Sequence, residues 1–95
     1  MAITFEWDPR KNAANRKKHG VGFDEALTVF ADPLGRIVPD SRHSHGELRL
    51  ALLGLFVRQR LLAVMFIERG DNRVRIISAR RATRHERHDY EEAGP

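Results

Sequence analysis

The chain has 95 residues, a length typical of one domain with a single modest core. It carries 17 Lys and Arg against 13 Asp and Glu, so its formal net charge is +4, and its isoelectric point is about 10.3. This balance favours an anionic partner, of which a nucleic-acid backbone is the commonest. The lack of cysteine excludes disulfides, thiolate zinc sites and a cysteine nucleophile, and the composition argues against a membrane span. The first residues lack the segments of a secretory signal, so we expect a cytoplasmic protein.

The N-terminal third of the chain predicts one strand and two helices. Residues 3–7 are rich in β-formers and predict a short strand. Asp8-Pro9 is a helix start and Gly20 a left-handed stop, so a first helix is expected from Pro9 to about His19. A second helix, ended by Asp32-Pro33, is predicted from an apolar stripe at helical spacing. The stripe consists of Phe23, Ala26, Leu27 and Phe30.

The remainder of the chain predicts strands and a terminal helix. Ile37-Val38 is a candidate short strand, and three longer strand-like runs follow it: residues 47–56, 61–68 and 73–79. The connections between the three runs are short enough for hairpins, so we expect an antiparallel meander. Thr83 and Glu86 form a capping box that opens a helix over residues 84–92. This order predicts a single α+β domain over residues 1–95, with helices packed on one face of an antiparallel sheet.

The densest functional signal is a run of arginines between residues 73 and 87. Six arginines stand there against one acid, Glu86. Clustered guanidinium groups match phosphate oxygens in pairs, which favours phosphate binding, although a solvated charged sheet edge has the same composition. Strand alternation puts Arg73, Arg75 and Ile77 on one face and Val74, Ile76 and Ser78 on the other. If the second set faces the helices, Arg73 and Arg75 lie on the open face, whereas alternation cannot place Arg80 and Arg81 at the strand end.

Glu68 ends the strand that precedes this arginine run. Across a tight hairpin it is expected to lie near Arg73 or Arg75. There it would either form a cross-strand ion pair or orient an arginine and act as a base toward a ribose hydroxyl. The two interpretations have equal support in the sequence.

The five histidines offer several acid–base candidates. His43 and His45 fall in a polar loop, where an imidazole could act as acid or base near neutral pH. Together with Glu47 they resemble a set of metal ligands, but a fourth ligand is lacking, so no metal site is predicted. The other three are interpreted as helix-end or solvated surface groups: His19, His85 and His88.

Several spaced motifs resemble those of the BrnT toxins, over about residues 5–92. They are Phe5-Glu6-Trp7-Asp8-Pro9, Lys18-His19-Gly20-Val21 and Arg75-Ile76-Ile77-Ser78-Ala79-Arg80. The resemblance implies a RelE-like fold with an antiparallel sheet of about four strands, two N-terminal helices on one face and a short C-terminal helix. It also implies a ribonuclease toxin of a type II toxin–antitoxin module that inhibits translation. The implied partner is a BrnA-like ribbon-helix-helix antitoxin, and operator DNA would be bound only through the complex.

The expected chemistry is metal-independent and cofactor-independent attack of a ribose 2′-OH on the neighbouring phosphate. Arg75 and Arg80 are predicted to stabilise phosphate charge, with Glu68 or His45 as the base. Four further cations are predicted to bind RNA: Lys18, Arg69, Arg73 and Arg81. The alternative is a basic module that binds nucleic acid or the ribosome without cutting, and neither possibility involves a membrane.

Overall fold

A computed structural model describes residues 2–40, 48–56 and 60–92 of the chain. Within these segments a five-stranded sheet carries helices on both faces. The elements in chain order are β1 (Thr4–Glu6), α1 (Pro9–His19), α2 (Phe23–Ala26), a 3₁₀-helix (Leu27–Ala31), β2 (Arg36–Pro39), β3 (Leu50–Leu55), β4 (Leu61–Glu68), β5 (Arg73–Arg81) and α3 (Arg84–Glu92).

The strand order in the sheet is β1-β5-β4-β3-β2. The antiparallel pairing of β3, β4 and β5 confirms the predicted meander, and β2 extends it. The expected sheet of about four antiparallel strands is wrong in one respect, because β1 pairs with β5 in parallel. Strand β1 thus brings Phe5 beside Val74. The ring of Phe5 packs against the ring of Phe30, with 4.9 Å between the ring centroids. The sheet is therefore mixed.

Helix α1 begins and ends as predicted because both of its caps are local. Asp8 Oδ1 accepts a hydrogen bond from the backbone N–H of Arg10 at 2.8 Å, and Gly20 takes the left-handed conformation with φ 71°. The single buried residue of the helix is Asn15. Its side-chain amide donates to the carbonyl of Ala79 at 2.8 Å and accepts from the Ala79 N–H at 3.1 Å. Asn15 thus fastens α1 to the edge of β5, beyond the three residues that β1 covers.

The predicted second helix divides into one α-helical turn and a 3₁₀-helix. The Thr28 hydroxyl donates to the Glu25 carbonyl at 2.7 Å, a local bond that competes with regular helical pairing where the turn tightens. The 3₁₀-helix packs tightly on β3, since a Cβ added to Gly54 would lie 2.5 Å from Val29 Cγ1. The apolar stripe still forms core, because Phe23 is fully buried.

A β-bulge interrupts the pairing of β4 with β5. The register passes from Phe66 opposite Ile76 to Met65 opposite Ser78. Ile77 is therefore an extra residue on β5, and the alternation of side chains changes phase at this point. No local sequence signal marks the bulge.

The bulge decides which side chains of β5 share a face. Ser78 was predicted to lie on the same face as Val74, but that prediction is wrong. Ala79, which is fully buried, joins Val74 in the core beneath α1 and α2. Ser78 and Arg80 consequently lie on the opposite face, together with Arg75, which was expected there.

Helix α3 lies on the face opposite α1 and α2, which corrects the expectation that the helices share one face. It contacts β3. On this face Leu53 of β3 and the opposing Ala63 of β4 are 1% and 0% exposed, although neither belongs to the core cluster beneath the other helices. None of the nine described residues of α3 is itself buried. Polar contacts hold it instead, among them the hydroxyl of Tyr90, which donates to Asp32 Oδ2 at 2.6 Å. Among the residues the structure describes, no helix is long and apolar enough to cross a membrane.

Candidate functional site

A cleft of about 690 Å³ opens on the sheet face that carries α3. Met65 and Ser78 contribute to it from β4 and β5, and the end of α1 and the start of α3 provide further lining residues. Basic and imidazole groups dominate its polar lining: Lys18, His19, Arg49, Arg80 and His85. Among the described lining residues, the carboxylates are Asp40 and Glu86. The cleft therefore combines permanent cations with proton-exchanging groups, which is the combination a phosphate-cleaving site requires.

Arg80 is the most firmly positioned cation of the cleft. Its Nη1 and Nη2 donate to Oε1 and Oε2 of Glu86 at 2.6 and 3.0 Å. Glu86 also forms the predicted capping box, because its Oε1 accepts from the Thr83 N–H at 2.9 Å and its own N–H donates to Thr83 Oγ1 at 3.1 Å. The hydrogen bond with Arg80 lowers the pKa of Glu86 and raises the pKa of Arg80, so both groups stay ionised. One carboxylate thus starts α3 and orients the guanidinium.

Two histidines that the sequence analysis assigned to helix ends or solvent line the cleft. His19 ends α1 and is half-buried, whereas the side chain of His85 is 85% exposed, with Nε2 3.5 Å from Asp89 Oδ2. Lys18, which was predicted to bind RNA, also lines the cleft. It forms no ion pair with any residue in the described segments.

Sequence reasoning missed Asp40 and Arg49. The backbone N–H of Asp40 donates to the Arg49 carbonyl at 2.9 Å, which continues the β2–β3 ladder and brings both residues to the cleft. Asp40 also contributes, after Glu86, to the raised pKa of Arg80. The available signal was that these charged residues flank the polar loop, but their proximity to Arg80 depends on the sheet register.

Arg75 and Arg73 lie outside the cleft lining. Arg75 Nη1 donates to Glu6 Oε2 at 2.9 Å, and Arg73 Nη1 lies 3.6 Å from Glu6 Oε1. The parallel pairing of β1 with β5 places Glu6 directly opposite Arg75. Arg80 follows Arg75 by five positions, roughly 15 Å along the strand, so the two predicted phosphate-stabilising arginines occupy separate positions.

Glu68 is not the carboxylate that pairs with these arginines. It lies opposite Val74 in the register, so strand alternation directs it away from the face of Arg75. It does lie near Arg73, with which it lines a separate hollow of about 340 Å³ at the hairpin end of the sheet. The structure thus separates Glu68 from the cleft of Arg80.

The other predicted site residues are dispersed. Arg69 is exposed beside the β4–β5 hairpin, and Arg81 is exposed at the end of β5. His45 lies outside the described residues, as does the rest of the metal set considered above. Within the described segments, no group of three His, Asp or Glu side chains is arranged to hold a metal ion.

Comparison with known proteins gives the family. A family model described as "Ribonuclease toxin, BrnT, of type II toxin-antitoxin system" matches residues 7–86. The chain belongs to the BrnT family. The crystal structure of the Brucella abortus ribonuclease toxin BrnT is similar at 26% identity and a TM-score of 0.69, covering 87% of this chain and 100% of that one. Among curated proteins, none matches the sequence.

Membership of the BrnT family confirms the resemblance drawn from the motifs and the prediction of an endoribonuclease toxin. It favours the enzyme over the non-cutting binding module. Membership of a type II toxin–antitoxin family also implies that the protein has an antitoxin partner and that its substrate is RNA.

Proposed function

We propose that this BrnT-family toxin cleaves RNA without a metal ion, in the cleft around Arg80, and thereby inhibits translation. The supporting observation is the convergence of three permanent cations and two imidazoles on one cleft that contains only two carboxylates among its described lining residues. A negatively charged phosphate is the reacting group that such a lining suits best. Because its proposed substrate is RNA, the enzyme is proposed to act in the cytoplasm.

Arg80 stabilises the negative charge that develops on the phosphate. Its guanidinium is oriented by Glu86 before substrate arrives, and preorganised donors lower a reaction barrier most effectively. Lys18 adds a second positive charge to the same cleft. Arg75 remains a proposed phosphate-binding residue, at a position further along the RNA. Arg69, Arg73 and Arg81 remain proposed RNA-binding residues around it.

The proton transfers are assigned to His19 and His85. In the proposed reaction a base takes the 2′-OH proton while the 2′-oxygen bonds to phosphorus. The bond from phosphorus to the 5′-oxygen breaks, and an acid protonates that oxygen. The products are a 2′,3′-cyclic phosphate and a 5′-hydroxyl. Histidine suits both transfers because imidazole changes charge near neutral pH. Of the bases expected from sequence, His45 remains an alternative for this cleft, whereas Glu68 could act only on RNA bound at the separate hollow beside Arg73.

The decisive experiment incubates the purified protein with labelled RNA in EDTA. Discrete fragments with 2′,3′-cyclic ends are expected, and an RNA with one 2′-deoxynucleotide at the cleaved position should stay intact there. Arg80→Ala should reduce the cleavage rate by about 100-fold, whereas Arg87→Ala, an exposed arginine of α3 outside the cleft lining, should not. Activity that is lost in EDTA and restored by a divalent metal would contradict the mechanism.

Arg80→Lys separates the two contributions of this residue. Lysine keeps the charge but lacks the planar fork, so an intermediate rate is expected. Equal rates for Arg80→Ala and the unmodified protein, with both folded by circular dichroism, would remove Arg80 from the site.

We further propose that the antitoxin is a BrnA-like ribbon-helix-helix protein that covers the cleft and carries the complex to operator DNA. The cleft suits an acidic segment of such a partner for the same reason that it suits RNA, namely its excess of cations.

A further inference from the structure

The outer surface of α1 carries positive charges, and the proposed reaction uses only Lys18 among them. Arg10, Lys11, Lys17 and Lys18 are all exposed and recur at the spacing of one helix face, which we call the basic face of α1. The helix contains no acidic residue. Asp8 lies 3.8 Å from Arg10 and is also attracted to the charge of Lys11, whereas Lys17 forms no ion pair within the described segments.

The basic face is continuous with the cleft. Asn12 and Asn15 occupy the inner side of α1, where Asn12 Oδ1 accepts from the Phe23 N–H at 2.9 Å and Asn15 bonds to Ala79. These contacts fix which side of the helix points outward. Lys18 belongs both to the basic face and to the lining of the cleft. The eleven residues of α1 extend the positive surface by about 16 Å beyond the cleft.

We propose that the basic face of α1 binds the backbone of the RNA strand that enters the cleft, so that the enzyme acts preferentially on RNAs longer than the cleft can hold. This inference rests on the proposed function. Phosphate contacts by lysine and arginine are independent of base sequence, so the basic face would increase affinity for any single strand without selecting the cleaved site.

The composition of the face favours RNA over a protein partner. Its exposed carbon side chains are Ala13 and Ala14, and it presents no aromatic or large aliphatic group. The buried centre of a protein–protein interface is enriched in aromatic residues and poor in lysine. Interfaces with nucleic acid are strongly cationic, as this one is.

The test compares Lys11→Gln/Lys17→Gln with the charge-matched control Arg84→Gln/Arg87→Gln, which removes two exposed arginines from α3 outside the cleft lining. Glutamine preserves helix propensity. For an unstructured RNA of about twenty nucleotides, the α1 variant should lose roughly tenfold in kcat/KM at low salt. The slope of log kcat/KM against log salt should become shallower by about 1.4, since each phosphate contact on a single strand contributes about 0.7. Cleavage of a tetranucleotide should be unchanged, and the control should match the unmodified protein on both RNAs.

The outcomes separate this inference from the proposed function. If the unmodified protein cleaves neither RNA, the proposed function fails. If it cleaves both and the α1 variant cleaves the long RNA equally well with the same salt slope, only the inference is overturned. A variant that binds the antitoxin more weakly but cleaves long RNA normally would assign the face to a protein partner, which also overturns the inference.

Discussion

Glu86 unites helix capping and active-site geometry in a single side chain. Its carboxylate satisfies the Thr83 N–H at the start of α3 and both outer nitrogens of the Arg80 guanidinium. Charge-assisted, two-point contacts of this kind are stronger than neutral hydrogen bonds. The orientation of the principal cation in the cleft is therefore coupled to the folding of α3.

This coupling predicts a pH-dependent effect of Glu86→Gln. The variant should reduce the free energy of unfolding at pH 7 by about 1 kcal/mol, allowing for solvent screening of a partly exposed pair. Because the pKa of Glu86 in the folded state lies below its ordinary value of 4.5, the contribution of the pair is present above that value. It is lost as the pH falls through the lower, folded-state pKa. Denaturant titrations of the variant and the unmodified protein should therefore give different free energies of unfolding at neutral pH and similar ones in acid. A difference in the free energy of unfolding that does not depend on pH would contradict this explanation.

At the scale of elements, the position of α1 depends on one buried amide. Asn15 satisfies the N–H and the carbonyl of Ala79 and donates to the Val21 carbonyl at 2.8 Å. Because α1 buries no apolar side chain, the hydrophobic effect alone would not fix its rotation against β5. This amide helps to hold the end of α1, with Lys18, at the cleft.

Asn15→Ala should destabilise the fold by about 3 kcal/mol, since it leaves buried backbone groups without partners. Cleavage of RNA should fall as well, because Lys18 and His19 would no longer be held in place. Asn12→Ala, which removes one hydrogen bond from the same helix, is the control and should have an effect of about 1 kcal/mol. Thermal unfolding of the two variants measures the difference in stability. Equal losses of stability would show that the contacts of Asn15 to Ala79 contribute no more than the single hydrogen bond of Asn12.

Helix α3 is attached by polar contacts, and Tyr90 provides one that can be removed without changing the shape of the side chain. Burial, together with the hydrogen bond to Asp32, raises the pKa of Tyr90 to about 12. Burial opposes ionisation of Asp32, but hydrogen bonds from Tyr90 and from the Leu55 and Leu34 amides outweigh it and lower the pKa of Asp32. The pair therefore consists of a neutral phenol and an ionised carboxylate at neutral pH.

Tyr90→Phe should lower the free energy of unfolding by about 1 kcal/mol and increase hydrogen exchange within residues 84–92 more than in β4. The pKa of Tyr90 is higher when folded, so its contribution is present below pH 10 and is lost as the pH rises through about 12. Phenylalanine does not titrate, so the free energies of unfolding of the variant and the unmodified protein should become similar in strong alkali. Unchanged exchange in α3 would mean that other contacts hold the helix.

Local signals predicted the elements, whereas long-range pairing determined how they assemble. The caps of α1, the capping box of α3 and the hairpin lengths are readable within a few residues, and those predictions are confirmed. The parallel pairing of β1 with β5 joins opposite ends of the chain, and the bulge at Ile77 leaves no composition signal. The sequence therefore predicted that Arg80 belongs to a cationic cluster. It did not identify Glu6 as the partner of Arg75, and it did not predict that Asp40 and Arg49 line the same cleft as Arg80.

At the scale of the whole molecule, RNA and antitoxin are proposed to compete for one surface of a small domain. A typical protein interface buries about 1,600 Å² in total, and the accessible surface of the described chain is 6467 Å². Half of that area, about 800 Å², comes from this chain and is about one eighth of its surface. Size alone leaves room for two separate surfaces, so the proposed overlap rests on the cations of the cleft, which attract RNA and an acidic antitoxin segment alike.

Arg81→Glu should therefore weaken both toxicity and antitoxin binding. Arg81 is exposed at the end of β5, next to the cleft residue Arg80, so reversal of its charge should leave the fold intact. We expect a several-fold loss of antitoxin affinity, mainly through slower association. Surface plasmon resonance and growth assays at matched expression measure the two effects. Unchanged antitoxin affinity with reduced toxicity would place the antitoxin on another surface.

The bulge at Ile77 makes the number of residues in β5 as important as their identity. Because Ile77 is the extra residue, deleting it would leave Ile76 opposite Phe66 and Ser78 opposite Met65, and would only restore regular pleating between them. Ser78 and Arg80 would keep their face, and Ala79 would stay in the core. Inserting one alanine after Ser78 would instead shift every later residue of the strand by one position, which turns Arg80 into the hydrocarbon interior and Ala79 out toward solvent. The Ile77 deletion should therefore remain soluble, whereas the insertion should cause a severe loss of soluble protein, and the soluble yields of the two variants at matched expression measure the difference.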